Sequence, residues 1–252
     1  MDTSTDHSPG EVATGSSAAP DGAAGLSRRD RLRMATIEEI KAAARDLLLP
    51  PPGGADLSLR AVAREIGMTP SAIYRYFESR QDLIDALARD ALESAGAALR
   101  VADEADSRAS AFARAVTLAS AYRRWCLDHR AEFALVFRDG QQTDALRVDT
   151  IAFYSVPLQV LSEELRADRI RIPEHTDALP TVRPDVLELA ANLAPEGIEP
   201  ATMIYLVSVW AAVHGFVCLE LFGHVPAILE DPEDAFEHHV RLVLRSVLAF
   251  DC

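Results

Sequence analysis

The sequence predicts an all-α protein with a small N-terminal helical domain followed by a larger helical domain. Apolar residues recur at helical spacing through most of the chain. No pair of strand-like segments is joined by a hairpin turn, and no glycine-rich phosphate loop is present. With 252 residues, 49% of them hydrophobic, the chain is long enough to bury a substantial core.

The N-terminus is predicted to be a disordered tail covering residues 1–27. This stretch is rich in Ser, Gly, Ala, Thr and Asp and has almost nothing to bury. It has neither a basic start nor an apolar centre, so we do not expect a secretory signal. The three cysteines are far apart and no apolar run reaches about 18 residues, which predicts a cytoplasmic protein with no membrane partner.

The first predicted helix lies in "RDRLRMATIEEIKAAARDLLLPP", where Ile37, Ile40 and Ala44 are spaced as one helical face. The prolines at 50–51 end it, and "PPPGGAD" is predicted to be a loop.

Residues 58–77 are predicted to form two helices joined by a turn. Ser58 can cap the first helix, and Gly67 suits the left-handed residue that ends it. In "MTPSAIYRYFESR", Thr69 can cap the second helix and Pro70 suits its first position. Ile73 and Phe77, four residues apart, form the inward face of that helix. Tyr74, Arg75 and Tyr76, with Ser71 and Ala72, then lie outward or to the side, as in a helix-turn-helix.

A longer helix follows in "ESRQDLIDALARDALESAGAALR". Ser79 and Asp82 have the spacing of a capping box, and apolar residues including Leu83 and Leu87 form a stripe. Beyond it we predict helices near 107–130, 131–138, 147–170, 184–193, 200–222 and 232–249, with Pro157 kinking or splitting the third. The 200–222 helix is apolar on nearly every side, so it is either deeply buried or faces a partner subunit.

Charge is distributed unevenly between the two parts. Residues 28–80 contain ten basic and seven acidic residues, a net charge of +3, whereas the whole chain has −14 and the remainder therefore −17. A basic block on an acidic body favours a polyanion partner for the block alone. Ordinary solvated arginines are the competing interpretation.

The stretch "LSLRAVAREIGMTPSAIYRYFESRQDLIDAL" resembles the DNA-binding domain of the TetR family of transcriptional regulators. The resemblance rests on Ala63 and Gly67 at the turn, the Tyr-x-Tyr-Phe run ending at Phe77, and Arg80 three residues later. "WAAVHGFVCLELFGH" is similar to the Trp-x-x-x-His-Gly segment of some C-terminal ligand domains in that family. The proline-rich loop at 50–56 departs from the family pattern.

The resemblance implies a DNA-binding domain at 28–80 and a ligand-binding and dimerisation domain at 81–252. In a helix-turn-helix, the leading end of the second helix enters the major groove. Base-edge candidates are Thr69, Pro70, Ser71, Ala72, Tyr74 and Arg75, and Arg75 has the fork that matches guanine. Phosphate candidates are Ser58, Tyr76 and Arg80, and Arg60 can reach either a base or a phosphate. Arg28, Arg29, Arg31 and Arg33 either follow the adjacent DNA backbone or minor groove or remain solvated.

The resemblance also implies a homodimer on a palindromic double-stranded DNA operator, with helices 200–222 and 232–249 as a four-helix interface. A small, hydrophobic effector would bind among the helices of the larger domain and release the DNA. Ligand candidates are Trp125, Phe133, Phe137, Phe153, Tyr154, Tyr205, Trp210, His214 and Phe216. Aromatic residues at helical spacing are more often core residues, and this interpretation remains open for each of them.

No residue set predicts an enzyme, a metal site or a cofactor. No nucleophile lies in a pattern with a base and an orienting group, and His238 and His239 have no third ligand at metal spacing. Two alternatives remain: an all-helical enzyme or small-molecule binding protein without DNA binding, and a protein-interaction module using the 200–249 helices. The sequence does not distinguish a repressor from an activator.

Overall fold

The computed structural model describes residues 27–48, 57–106, 109–137, 153–171, 181–193, 200–247 and 249–250. The predicted tail lies, but for Ser27, outside these residues, as do the whole "PPPGGAD" loop and residues 147–152 of a predicted helix. In this part of the chain the helices are α1 (Arg28–Leu48), α2 (Leu59–Glu65), α3 (Pro70–Ile73), α4 (Arg80–Ala105), α5 (Ala111–Asp128), α6 (Arg130–Phe137), α7 (Ser155–Arg166), α8 (Pro184–Leu193), α9 (Pro200–Leu221) and α10 (Pro232–Val247).

Helices α1 to α3 form the predicted three-helix arrangement. Ser58 accepts a hydrogen bond from the Ala61 backbone N–H and so caps α2, as expected. Gly67 has φ +69°, the left-handed conformation that lets the chain turn into α3. The cap expected at Thr69 is wrong in detail, because its hydroxyl contacts that of Ser71 instead of a backbone N–H. Pro70, at the first helical position, leaves one fewer orphan N–H for a cap to satisfy.

Helix α4 connects the N-terminal helices to the larger domain. The predicted capping box is present: Ser79 accepts from the Asp82 N–H, and the Asp82 carboxylate accepts from the Ser79 N–H. The helix has 26 residues, so it is about 39 Å long. It packs against α1 near its start and against α5, α6 and α7 farther along.

The larger domain is built around α5, which packs on α4, α7, α9 and α10. Helix α7 ends at Arg166, before the predicted end at residue 170, and residues 147–152 of that prediction lie outside the described residues. Pro157 lies in its first turn, where a missing N–H costs no hydrogen bond, and Asp168, with φ 54°, follows its end. Ile170–Arg171 (β1) pairs antiparallel with Ala249–Phe250 (β2), although the sequence predicted no strands.

Helix α9 is the apolar helix predicted at 200–222. Its Thr202–Leu221 segment is long and apolar enough to cross a membrane by length and composition alone, a test that a core helix also passes. Its buried side, with Val213 and Val217, belongs to the core. Its polar residue Glu220 accepts two hydrogen bonds from Arg123 on α5, at 2.6 and 2.7 Å. The helix therefore packs as part of the larger domain.

Candidate nucleic-acid interface and ligand cavity

The α3 segment presents its polar and aromatic side chains on a buried support. Ile73 is 0% exposed and Phe77 is 7% exposed, whereas Tyr74 is 47% exposed. Regular helix ends at Ile73, and its carbonyl then accepts from the N–H groups of Tyr76 and Phe77 at 2.9 and 3.1 Å. Because the two anchors are held in the core, the side chains between them are held at the surface.

The predicted base-edge residues occupy one accessible surface at the start of α3. The exposed members are Thr69, Pro70, Ser71, Tyr74 and Arg75, and Ala72 is half-buried. A leading helix end surrounded by exposed side chains can enter a major groove.

Arg33 on α1 contacts the end of this segment. Its Nη1 donates a hydrogen bond to the Arg75 carbonyl oxygen at 3.2 Å, and its guanidinium carbon lies 5.3 Å from the centroid of the Tyr76 ring. That carbonyl follows the last regular residue of α3, where helices leave acceptors without intrahelical partners. Arg33 thus braces the far end of the α3 segment (residues 69–77, hereafter the reading segment) in the free protein.

The predicted phosphate contacts Ser58 and Arg80 lie near one another, at the start of α2. Arg80 Nε donates to the Leu57 carbonyl at 2.7 Å, next to the capping Ser58. Arg60 is exposed in the first turn of α2, and Tyr76 is half-buried beside α1. A helix N-terminus with nearby arginines suits a DNA phosphate.

An ion-pair cluster attaches α1 to α4. Asp90 on α4 accepts from Lys41 Nζ at 2.9 Å and from Arg45 Nη2 at 2.5 Å. Burial on its own would lower the pKa of Lys41, but hydrogen bonds to Asp90 and Glu38 raise it above its usual value. Because Asp90 ties α1 to α4, the orientation of α4 sets the position of α1 and of the three-helix unit that α1 forms with α2 and α3.

A cavity of about 120 Å³ lies within the larger domain between α5, α7, α9 and α10. The small residues Ala111, Ala115 and Ala119 recur every four positions on α5 and leave space along one helix face. The rest of the lining is almost entirely apolar and aromatic: Leu99, Leu118, Tyr122, Phe153, Tyr154, Pro157, Val160, Leu161, Glu164, Ile170, Tyr205, Leu206, Val209, Trp210, Val213, Val240 and Leu244. Such walls suit an apolar ligand.

Tyr122 and Trp210 are neighbours in the cavity wall, with ring centroids 4.8 Å apart. The Tyr122 hydroxyl and His214 Nδ1 are 2.8 Å apart, and His214 Nε2 lies 3.4 Å from Cys218 Sγ. Burial lowers the pKa of His214 and raises that of Tyr122, so both side chains are neutral near neutral pH. Burial also raises the pKa of Cys126 to about 12, which makes its thiol unreactive.

The structure separates the predicted ligand residues into three groups. Phe153, Tyr154, Tyr205 and Trp210 line the cavity. Phe137 and His214 pack against the Trp210 ring and Phe133 packs against both of them, but none of the three is part of the lining. Trp125 and Phe216 lie elsewhere: Trp125 Nε1 donates to Ser94 Oγ and its ring stacks on His129, and Phe216 packs on Phe236.

Sequence reasoning missed Tyr122 and Glu164 in the cavity wall. Neither residue is next to the aromatic residues that the sequence analysis selected. Only the packing of α5 against α7 and α9 brings the two side chains to the same cavity. The alanine repeat on α5 was a usable signal, because small residues on a core-facing stripe leave space.

A buried arginine lies next to the cavity. Arg114 on α5 donates from Nε and Nη2 to the two carboxylate oxygens of Asp103 on α4, at 3.0 and 3.1 Å. Its Nη1 donates to Glu164 at 3.0 Å and to Glu163 at 3.3 Å. The hydrogen bonds to Asp103 raise the pKa of Arg114. Arg169 donates two hydrogen bonds to Glu164, and these lower the pKa of that carboxyl.

No metal cluster is found in the described ranges: they contain no group of three or more His, Cys, Asp or Glu side chains placed to hold an ion. The adjacent His238 and His239 point to different surroundings, since His239 contacts the Ala212 carbonyl and Phe216 while His238 is exposed.

Two family models match the chain. Residues 53–87 match "Bacterial regulatory proteins, tetR family", and residues 115–243 match "Tetracyclin repressor-like, C-terminal domain". The first range includes α2 and α3 and the second includes most cavity-lining residues. The Trp210 to Gly215 segment lies within the second.

Similar proteins cover nearly the whole chain. HTH-type transcriptional regulator Rv1816 of Mycobacterium tuberculosis (strain ATCC 25618 / H37Rv) is 30% identical over 237 residues, 88% of this chain and 95% of that protein. HTH-type transcriptional regulator Mb1846 of Mycobacterium bovis matches with the same values.

Solved structures show the same arrangement of helices. The crystal structure of SCO4313, named as a regulatory protein, has 28% identity and a TM-score of 0.64, covering 87% of this chain and 100% of that one. The TetR family transcriptional regulator PfmR from Thermus thermophilus has 15% identity and a TM-score of 0.51, covering 87% and 97%, and supports the fold alone.

Proposed function

Because this chain belongs to the TetR family of transcriptional regulators, we propose that it is a ligand-responsive repressor that binds a palindromic operator as a homodimer. It is a DNA-binding regulator and not an enzyme. A regulator of transcription works inside the cell, and we place it in the cytoplasm.

The observation that carries the proposal is the geometry of α3. The segment combines two buried anchors with exposed Tyr74 and Arg75 at its surface. Arg75 is the candidate for a guanine contact through O6 and N7, and Tyr76, Arg80 and the start of α2 are candidates for phosphates.

Exposed apolar side chains on α9 and α10 support the dimer. Val207 on α9 is 58% exposed and Leu242 on α10 is 60% exposed, and Leu219 is exposed as well. Large exposed apolar surfaces mark interaction sites. Pairing α9 and α10 of two copies would bury them and set a fixed distance between two reading segments, as a palindromic operator requires.

The cavity supports an uncharged, largely apolar effector. Glu164 is a charged residue in its wall, and Arg114 and Arg169 already neutralise its negative charge. The carboxylate therefore does not attract a charged group of a ligand. An effector shifts an equilibrium only by binding one state better than the other. We propose that it favours the state with the lower affinity for DNA, and that the DNA-bound state represses transcription.

Selection of duplexes from a random pool with the purified full chain tests the DNA part of this proposal. The expected product is a palindrome bound with strong salt dependence, since phosphate contacts release counterions. Sedimentation at micromolar concentration tests the dimer. An enriched sequence without two-fold symmetry, or a monomeric mass, would contradict the homodimer.

A panel of apolar compounds tests the ligand part. Binding is followed by Trp210 fluorescence and melting temperature, and operator affinity is then measured with each bound compound. A compound that binds and tightens the operator complex would contradict the proposed release of the operator by the effector.

A further inference from the structure

We propose that the ion pairs running from Glu164 through Arg114 to Asp103 couple occupancy of the cavity to the orientation of α4, and through α4 to DNA affinity. This inference rests on the proposed function and specifies how its ligand site is regulated. The occupant that operates it is an uncharged apolar molecule.

Glu164 belongs to both the cavity and the ion-pair network. It lines the cavity and is only 2% exposed. Its Oε1 accepts from Arg114 Nη1 and Arg169 Nη2, each at 3.0 Å, and its Oε2 accepts from Arg169 Nε at 2.6 Å. A molecule that fills the cavity therefore presses on a carboxylate whose two oxygens already accept hydrogen bonds from Arg114 and Arg169.

Arg114 connects this carboxylate to α4. Its guanidinium is almost fully buried and binds the two oxygens of Asp103 as a planar fork. Arg114 and Glu164 are both buried, so neither charge can exchange its partner for water, and Arg114 therefore follows Glu164. Asp103 is coupled to Arg114 through the two parallel hydrogen bonds. The bidentate geometry also transmits orientation, because the fork allows little rotation between its partners.

Helix α4 carries the displacement to the DNA-binding helices. Asp103 lies near its end, whereas Asp90 binds Lys41 and Arg45 of α1 and Arg80 binds the Leu57 carbonyl beside α2. The helix is continuous from Arg80 to Ala105, so a shift at Asp103 moves the support of the three-helix unit.

The charges in this network predict which change interrupts the coupling without breaking the fold. Arg114 and Arg169 face three carboxylates, those of Asp103, Glu163 and Glu164. Asp103→Asn leaves two cations facing two carboxylates, so no buried arginine is left without a counter-charge. The asparagine retains one acceptor for Arg114 but loses the bidentate grip.

The test fills the cavity in the full-length protein and measures affinity for an operator duplex selected from a random pool. Ala115→Leu adds three carbon atoms at the cavity wall. The matched control is Ala113→Leu, on the same helix but outside the lining. Glu104→Gln, an exposed neighbour of Asp103, controls for loss of an acidic charge on α4. Each variant is first checked by its melting curve.

We expect Ala115→Leu to weaken operator binding by about tenfold, within the usual range for coupled sites, and Ala113→Leu to change it less than about twofold. In the Asp103→Asn background, the effect of Ala115→Leu should fall below about twofold, and in the Glu104→Gln background it should persist. Titration with 1-octanol provides a second arm: it fills the cavity of the wild-type fold and should reproduce the same pattern.

The outcomes separate the coupling route from the proposed function. An equal effect of cavity filling in the wild-type and Asp103→Asn backgrounds overturns the ion-pair route while leaving a ligand-responsive repressor intact. The route is also overturned if neither Ala115→Leu nor 1-octanol weakens operator binding. If the wild-type chain enriches no duplex at all, it is the proposed operator binding that fails.

Discussion

Replacing Arg33 tests whether it braces the reading segment or contacts DNA. Arg33→Ala removes the hydrogen bond to the Arg75 carbonyl, worth about 0.5–1.5 kcal/mol net, and the contact with the Tyr76 ring, worth about 0.5–1 kcal/mol at an exposed site. Together they contribute about 1–2.5 kcal/mol to the free energy that orders the end of α3. If DNA binding requires that order, operator affinity should fall by roughly 5- to 70-fold.

Salt dependence decides between the two roles. Affinity is measured by fluorescence anisotropy of a labelled operator over a range of salt concentrations. If Arg33 only braces α3, Arg33→Ala lowers operator affinity but leaves the slope of log affinity against log salt concentration unchanged. If Arg33 contacts a phosphate, Arg33→Ala reduces the size of that slope by about 1. Arg33→Gln, which keeps a donor for the carbonyl, should restore part of the affinity. A reduced slope, or full affinity in Arg33→Ala, would refute the brace.

Three further predictions concern the interface and the core. Arg75→Ala should cost about 1–3 kcal/mol of operator affinity and relax base preference at one position, measured by repeating the selection; an unchanged consensus would rule out base readout. Ile73→Ala should lower the free energy of unfolding by about 2–5 kcal/mol in thermal or urea melts, with exposed Ser71→Ala near neutral as the control. Because arginine hydrogen bonds lower the pKa of Glu164, its contribution to stability is present above its ordinary value of 4.5 and is lost as the pH falls through the lowered pKa. Melting temperature against pH should therefore fall less steeply in acid for Glu164→Gln than for wild type, and identical profiles would contradict the pairing.

Local signals predicted the N-terminal half well. Ser58, Gly67 and the Ser79–Asp82 capping box behave as expected because each acts within a few residues of itself. The burial of Ile73 and Phe77 and the exposure of Tyr74 follow from helical spacing in the same way. Thr69 is the exception, since a neighbouring hydroxyl competes for its side chain.

The cavity was less predictable because its residues come from distant parts of the chain. Aromatic content identified Phe153, Tyr154, Tyr205 and Trp210, but the same criterion also selected Trp125, which bonds to Ser94 away from the cavity. Aromatic rings serve core packing and ligand walls equally well, and only the helix contacts distinguish the two.

The sequence by itself determined the helices, the turn at Gly67 and the side of α3 that is displayed, because these depend on backbone propensities, caps and spacing along a short stretch. Only the tertiary structure decided that Arg33 reaches the Arg75 carbonyl, that the α5 alanines open a cavity, and that Arg114 joins Asp103 to Glu164. Those contacts join residues 11 to 50 positions apart. Their existence depends on how whole helices pack, and helical periodicity specifies the faces that become buried but not the partner that each face meets.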